Sequence, residues 1–226
     1  MKSFKVFFAL LFAAFISCKN SSNTISDLET IQTNLKQQFA PDKRVKIYDI
    51  QFENKNSTLI LKGETTTKKA FDILLDSLKK RNISFKNKVR ILPDSAIGNK
   101  IYALGNNSVI NIRSKPKHSA ELGTQGLLGM KLNVLDKKGD WYRVQTPDNY
   151  ISWVDGGGIK RMTAKELQSW NQKNKLIYTQ NFGYVYEQKN EKSTRVSDIV
   201  FGGILAIKKE YDSFYEVEYP DGRNGF

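Results

Sequence analysis

The fold of the middle of this chain is decided by two stretches, VINIRSKP at residues 109–116 and GDWYRVQTPDNYISWVDGGGI at residues 139–159. Both contain short runs of β-branched and aromatic residues. Turn signals separate these runs at residues 137–140 (KKGD) and 147–149 (PDN). Short strands between closely spaced turns are typical of a small all-β barrel. We therefore predict such a barrel over residues 98–162, and call it the first β domain.

The first β domain contains three short sequence motifs, in the order N-I-R-S-x-P, G-D-W-Y-x-V and Y-I-x-W-V. In this combination they resemble the bacterial SH3-like domain. The sequence departs from the family at Asn149 and Ser152, where glycine is common. Because asparagine tolerates left-handed backbone, we expect the turn at Asn149 to be kept.

A second copy of the pattern follows at a shift of 73 residues. The matched pairs are Leu128-Gly129 with Phe201-Gly202, Leu132 with Leu205, Trp141-Tyr142 with Phe214-Tyr215, Val144 with Val217, and Pro147-Asp148 with Pro220-Asp221. An internal repeat indicates a repeated structural unit. Residues 176–226, the second β domain, are therefore predicted to be another SH3-like barrel. Between the two copies, Thr163 and Glu166 predict the capped start of a linker helix within residues 163–175.

The last residue, Phe226, is the counterpart of Trp153 in the first copy. The first copy continues from Trp153 to Ile159 before it ends. We therefore expect the second barrel to be incomplete and to lack its closing strand. Because an unpaired edge in a small barrel is unfavourable, we expect the 226 residues to be part of a longer protein.

The segment before the barrels is predicted to be a small α+β domain over residues 26–94, called the first domain. Ser26 and Glu29 suggest a capping box, residues 53–56 a turn, and Gly63 the end of the second strand. The predicted order is α-β-β-α-β. This order, with LILKGETTTKKAFDILLDSL after the hairpin, resembles the BON domain. The resemblance implies a periplasmic module that binds phospholipid or anchors to the cell envelope; the alternative is a spacer without a ligand. The fold class is α+β, with two all-β barrels following.

The N-terminus carries the pattern of an export signal. Lys2 and Lys5 precede an apolar run that is shorter than the roughly 20 residues of a membrane span. The stretch FISC at residues 15–18 resembles a bacterial lipobox, which implies a signal peptide at residues 1–17 and acylation of Cys18. The alternative is an ordinary signal peptide with an incidental cysteine. Residues 18–25 are predicted to be a polar tether.

The formal charge of +13 favours polyanionic partners. Nucleic acid is discounted because an exported, membrane-anchored protein does not meet it. We expect the protein to be exported and anchored by the lipid on Cys18 to the outer membrane, at its periplasmic face.

The whole order of lipobox, SH3-like domain, linker helix and second SH3-like domain resembles the NlpC-type cell-wall cysteine peptidases of the Bacteroides lineage. The resemblance implies cleavage between γ-D-glutamate and a diamino acid in peptidoglycan stem peptides. It also implies a catalytic domain after the second SH3-like domain. The chain has one cysteine and one histidine, His118, so we expect no catalytic residue, no metal and no cofactor.

The family uses loops and aromatic side chains of the SH3-like domain to contact stem peptides. The candidate ligand-binding residues are Arg113, Trp141, Tyr150, Trp153 and Asp155. Aromatic rings offer apolar surface with a polar edge, and arginine can grip a carboxylate with two hydrogen bonds. The alternative is that Trp141 and Trp153 belong to the core, and that Arg113 is a solvated strand residue.

Three functions remain open at this point. The chain is a peptidoglycan-binding lipoprotein, a fragment of a cysteine endopeptidase whose catalytic domain lies beyond residue 226, or a structural envelope protein whose first domain contacts lipid.

Overall fold

The computed structural model describes the backbone of residues 19–56 and 58–226, with side chains from Ser26 onward except Ser57. The predicted signal peptide at residues 1–17 and the predicted lipidation site Cys18 lie outside the described residues. The described part of the chain is a mixed α/β structure, mostly strands with three α-helices. None of these helices has the length and apolar character that a membrane span requires.

The first domain follows the predicted α-β-β-α-β order. Its elements are α1 (Lys19–Phe39), β1 (Tyr48–Lys55), β2 (Thr58–Thr65), α2 (Lys68–Lys80) and β3 (Phe85–Ile91). The central strand β2 pairs antiparallel with β1 and parallel with β3. A parallel pair needs a crossover, which α2 supplies. Apolar residues of α1, α2 and the sheet form one buried core, which includes Leu28, Ile50, Leu61, Phe71 and Leu74.

The start of α1 differs from the prediction. The helix begins at Lys19, so Ser26 lies inside it and is not an N-cap; its carbonyl accepts a hydrogen bond from Thr30 Oγ1 at 3.0 Å. The predicted tether at residues 18–25 is therefore helical from Lys19 onward. No glycine or proline occurs between Lys19 and Ser26, so nothing in the local sequence stops the helix from extending toward the N-terminus.

The hairpin also differs from the prediction in two places. Strand β1 continues to Lys55, so residues 53–56 are not all turn. Strand β2 continues to Thr65, so Gly63 does not end it. Gly63 has φ +113°, and a Cβ at this position would lie 1.9 Å from the carbonyl oxygen of Asp49. Glycine is thus required within the strand because the neighbouring backbone approaches too closely for a side chain.

The first β domain is one antiparallel sheet of seven strands. These are β4 (Tyr102–Gly105), β5 (Val109–Arg113), β6 (Leu122–Leu127), β7 (Lys131–Lys138), β8 (Trp141–Gln145), β9 (Ile151–Asp155) and β10 (Ile159–Met162). Their order in the sheet is β10-β4-β7-β8-β9-β5-β6. The core contains Ile112, Leu132, Val134 and Val144. As predicted, Asn149 adopts left-handed backbone, with φ 69°.

The linker helix α3 (Ala164–Gln172) confirms its predicted capping box. Thr163 Oγ1 accepts a hydrogen bond from the Glu166 amide at 3.2 Å, and Glu166 Oε2 accepts one from the Thr163 amide at 2.6 Å. Leu167 and Trp170 of this helix pack with Leu104 and Ala206. Helix α3 therefore contributes to one core with residues from both β domains.

The second β domain consists of two antiparallel sheets. Its strands are β11 (Lys175–Ile177), β12 (Phe182–Tyr186), β13 (Arg195–Val200), β14 (Ile204–Glu210), β15 (Tyr215–Glu218) and β16 (Asn224–Gly225). The sheet orders are β11-β14-β15-β16 and β12-β13. Leu205 and Val217 are buried, as are their repeat partners Leu132 and Val144.

The repeat extends to the last residue of the chain. Phe226 exchanges two backbone hydrogen bonds with Tyr186, both of 2.8 Å. At the equivalent positions of the first copy, Trp153 is the register partner of Arg113. The absence of a closing strand in the second β domain stays a prediction.

Direct contacts join the three domains. The amide of Ile151 donates to the carbonyl of Arg44 at 2.6 Å, which links the first β domain to the first domain. The amide of Ile204 donates to the carbonyl of Leu128 at 3.0 Å, which links the two β domains. The first β domain therefore lies in contact with both of its neighbours.

Candidate functional site

A cleft of about 420 Å³ opens on the first β domain. It brings together three of the five predicted binding residues, Arg113, Trp141 and Asp155, and adds His118. We call it the His118 cleft. Its walls come from β5, β8 and β9, and from the loop between β5 and β6.

The strand register explains why residues distant in sequence meet at this cleft. Strand β9 lies between β8 and β5. Asp155 of β9 is the register partner of Trp141 on β8, and Val154 is the partner of Ile112 on β5. Arg113 therefore enters the cleft from one side of β9 and Trp141 from the other.

Asp155 occupies the point where β9 ends. Its Oδ1 atom accepts a hydrogen bond from the amide of Gly157 at 2.7 Å and caps the 3-10 turn Gly156–Gly158. Its Oδ2 atom lies 3.5 Å from Nε2 of His118. One carboxylate oxygen thus holds the backbone, while the other faces the imidazole.

His118 extends over the cleft from its loop. Its side chain is 80% exposed, and its ring centroid lies 5.0 Å from that of Trp141 in an edge-to-face arrangement. Trp141 itself is only 9% exposed, which agrees with the alternative that it belongs to the core, and it also lines the cleft. The imidazole therefore rests between an indole ring and a carboxylate.

Arg113 fixes the loop that carries His118. Its Nη1 atom donates to the carbonyl of Ala120 at 2.8 Å, and the amide of Ser114 donates to the carbonyl of Glu121 at 2.9 Å. Arg113 is half-buried rather than fully solvated. A guanidinium has five N–H donors, so this bond leaves others for a ligand.

The cleft combines groups suited to binding a peptide. It offers the guanidinium of Arg113 for a carboxylate, the carboxylate of Asp155 for an ammonium group, and the ring of Trp141 for apolar surface. The side-chain amides of Asn107 and Asn111 also line it. Among the residues that the structure describes, no serine, threonine or cysteine lines the cleft, so these residues place no hydroxyl or thiol nucleophile there.

The other two predicted binding residues lie elsewhere. Trp153 is 7% exposed, and its ring lies 4.7 Å from the guanidinium carbon of Arg143. It is a core residue that lines a different cleft, between the first domain and the first β domain. Tyr150 is half-buried over Gly123, where an added Cβ would lie 2.8 Å from the tyrosine hydroxyl. The five candidates therefore do not form one site.

His118 is the single histidine of the chain and is not among the five predicted binding residues. The contacts of its ring with Trp141 and Asp155 were therefore not predicted. One sequence signal could have indicated this role. His118 is the only histidine of the chain, and it follows the candidate binding residue Arg113 by five positions. Among the described residues, no group of three His, Cys, Asp or Glu side chains is placed to hold a metal ion.

Comparison with known families gives a match within the first β domain. Residues 112–158 match the family described as the bacterial dipeptidyl-peptidase Sh3 domain. The matched segment contains all five predicted binding residues and His118, and it includes β8 and β9 in full. A comparison with curated proteins found no match.

Similar solved structures include members of the NlpC/P60 family. An NlpC/P60 family protein from Bacillus cereus is 21% identical, with a TM-score of 0.45 over 55% of this chain and 53% of that one. An NlpC/P60 endopeptidase from Photobacterium damselae subsp. piscicida is 14% identical, with a TM-score of 0.43 over 90% of this chain and 43% of that one. NlpC1 from Trichomonas vaginalis is 8% identical, with a TM-score of 0.25 over 55% of this chain and 42% of that one.

This chain therefore spans about half or less of the length of these solved structures. The family match lies within the first β domain and includes Arg113, His118, Trp141 and Asp155 of the His118 cleft, whereas Asn107 and Asn111 precede it. Residues 112–158 are accordingly similar to the bacterial dipeptidyl-peptidase SH3 domain.

Proposed function

We propose that this protein is a cell-envelope binding module whose first β domain binds the stem peptides of peptidoglycan in the His118 cleft. The observation that supports the proposal is the convergence of Arg113, His118, Trp141 and Asp155 on one cleft within the segment that matches a bacterial SH3 family.

The chemistry of the cleft fits such a peptide. A stem peptide carries free carboxylates, and its diamino acid carries an ammonium group. Arg113 is placed to bind a carboxylate by charge-assisted hydrogen bonds, and Asp155 is placed to bind the ammonium group. The ring of Trp141 packs against the aliphatic part of the peptide. The cleft volume lies within the range of small-ligand sites.

The remaining parts of the chain define the setting of this activity. The lipid anchor at Cys18 holds the protein at the periplasmic face of the outer membrane, where the cell wall is within reach. The first domain, residues 26–94, contacts phospholipid in this account. Nucleic acid is not a partner. The net charge of +13 adds a general attraction to the acidic polymers of the envelope.

A sedimentation assay with purified sacculi tests the proposal. The full chain, in a non-ionic detergent, should sediment with the sacculi at low salt. The double variant Arg113→Gln, His118→Ala should bind about tenfold more weakly, because it loses a charge-assisted hydrogen bond of roughly 1.5 kcal/mol or more.

The matched control separates specific binding from charge attraction. Lys115 and Lys117 lie in the same loop as His118 and are exposed. The double variant Lys115→Gln, Lys117→Gln removes two charges near the cleft and should bind within about twofold of the original chain. The proposal fails if the original chain stays in the supernatant, or if the control loses as much binding as the test variant.

A second function deserves a test because the matched family is described as belonging to a dipeptidyl-peptidase. In this alternative, the chain is the substrate-positioning part of an endopeptidase that cleaves between γ-D-glutamate and a diamino acid. The catalytic residues would then lie beyond residue 226. An immunoblot with an antibody to residues 98–162 decides the matter. A band well above 25.9 kDa supports the alternative, and a band at or just below this mass contradicts it.

A further inference from the structure

A second cleft, of about 400 Å³, lies between the first domain and the first β domain. One wall is formed by the end of α1, the loop after it and the start of β1; the other wall is formed by β8 and β9. We call it the interdomain cleft. It shares no residue with the His118 cleft, so conclusions about the two clefts are independent.

The wall from the first domain carries an excess of positive charge. Lys36, Lys43 and Lys46 line it, and all three side chains are exposed. Among the residues that the structure describes, none of the three has a carboxylate within ion-pair distance. Free ammonium groups at the rim of one concave surface attract anions.

The acidic residues of the cleft do not cancel this charge. Glu64 forms ion pairs with Arg90 and Arg143, each at 2.5 Å, so its carboxylate is already neutralised by arginines. Asp49 is the other acidic residue of the lining. Three lysines therefore face a single unpaired carboxylate.

Tyr48 lines the cleft and also belongs to the buried core of the first domain. Tyr48 is only 3% exposed, and its hydroxyl has no hydrogen-bond partner among the described residues. Burial raises the pKa of Tyr48 to about 12, so the hydroxyl keeps its proton at neutral pH. Because the hydroxyl oxygen is itself buried, Tyr48 is not counted among the groups that bind a ligand.

The opposite wall combines apolar and polar side chains. Ile151 and Trp153 line it, and the guanidinium of Arg143 is held between Glu64 and the ring of Trp153. This wall can cover the organic part of a ligand whose charged end faces the lysines.

We propose that the interdomain cleft binds a small organic ligand through a phosphate group. Lysine is a common phosphate ligand, because its ammonium group is a compact charge with three donors. A phosphate monoester carries up to two negative charges and three free oxygens, which matches three lysines better than the single charge of a carboxylate does. The phosphate binds Lys36, Lys43 and Lys46, and the organic group packs against Trp153.

Titration calorimetry of the full chain in non-ionic detergent tests this proposal. The probes are glycerol 3-phosphate, inorganic phosphate, citrate, and phosphatidylglycerol in mixed micelles, all at one ionic strength. We expect saturable binding of glycerol 3-phosphate that the double variant Lys43→Gln, Lys46→Gln weakens about tenfold. Binding of phosphatidylglycerol without glycerol 3-phosphate also supports phosphate recognition, and identifies a lipid headgroup as its source.

The matched control is the double variant Lys138→Gln, Lys192→Gln, which removes two exposed lysines outside the cleft. It should bind the probes as the original chain does. Tyr48→Phe supplies a second control with unchanged net charge, and it should bind the probes as the original chain does because the hydroxyl is buried. Melting curves recorded for each variant confirm that it is folded.

Three results would overturn the proposal. These are no saturable binding of any phosphate probe, equal losses in the cleft variant and the control, and citrate binding tighter than every phosphate probe. None of them bears on sedimentation with sacculi, because the variants leave the His118 cleft intact.

Discussion

Asp136 of the first β domain accepts two hydrogen bonds from Arg90 of the first domain, at 3.1 Å from Nη1 and 2.9 Å from Nη2. Arg90 also binds Asp94 and Glu64, and Glu64 in turn binds Arg143. Asp136 is only 6% exposed. A two-point contact of a buried carboxylate with arginine fixes orientation as well as distance, so this cluster holds the two domains in one arrangement.

Replacing Asp136 should destabilise the protein. Asp136→Asn leaves Arg90 without one of its charge partners in a partly buried site, and we expect a loss of about 2 kcal/mol in the free energy of unfolding. Urea denaturation followed by circular dichroism measures it. Asp42→Asn is the control, because it removes the same charge from an exposed pair with Arg44. Equal effects of the two variants would contradict a structural role for the cluster.

The contribution of Asp136 should depend on pH. Burial acts to raise the pKa of Asp136, but hydrogen bonds from Arg90 and from the Lys137 amide outweigh it and hold the pKa below its ordinary value of 3.8. The folded state thus favours the ionised carboxylate. Its stabilisation is present above pH 3.8 and is lost as the pH falls through the lowered pKa.

The stability difference between the original chain and Asp136→Asn should therefore be constant near neutral pH and shrink below 3.8. Urea titrations from neutral to acidic pH measure this difference. If the difference in free energy of unfolding stays the same at every pH, the charge of Asp136 does not contribute to stability.

Replacing Gly63 and replacing Gly139 by alanine should lower the free energy of unfolding by very different amounts. Gly63→Ala places a Cβ 1.9 Å from a backbone oxygen and requires φ +113°, so we expect a loss above about 3 kcal/mol or failure to fold. Gly139→Ala also has positive φ, at +59°, but its Cβ meets nothing within 4 Å. We expect this control to lose only about 1 kcal/mol. Similar midpoints in chemical denaturation would refute the claim that close backbone approach requires Gly63.

Of the two capping boxes predicted from the sequence, the structure contains one. The capping box at Thr163 and Glu166 is correct because the box stands directly after a strand, where a helix has to begin. The same type of signal at Ser26 and Glu29 is wrong because the residues before it can also be helical. A capping motif shows where a helix can start. The helix starts there only if the residues before the motif are not themselves helical.

The internal repeat predicted equivalent backbone features in the two β domains, which no single motif did. Gly129 and Gly202 both have positive φ, and each precedes an equivalent strand, β7 or β14. Long-range contacts could not be predicted in this way. Trp153 and Asp155 lie two residues apart in β9, yet they line different clefts, and the loop carrying His118 returns to Trp141. The sequence alone does not show that the first domain lies beside Trp153 and not beside Asp155.

The most direct test of the account uses His118 as a unique reporter, because the chain has one histidine. The full chain, with ¹³C-labelled histidine and in non-ionic detergent, is titrated with a stem peptide that contains γ-D-glutamate and a diamino acid, and the imidazole resonances are followed by NMR. The account predicts a saturable shift of these resonances that Arg113→Gln weakens about tenfold. Resonances that do not move while the protein binds sacculi would place the peptide outside the His118 cleft and contradict the account.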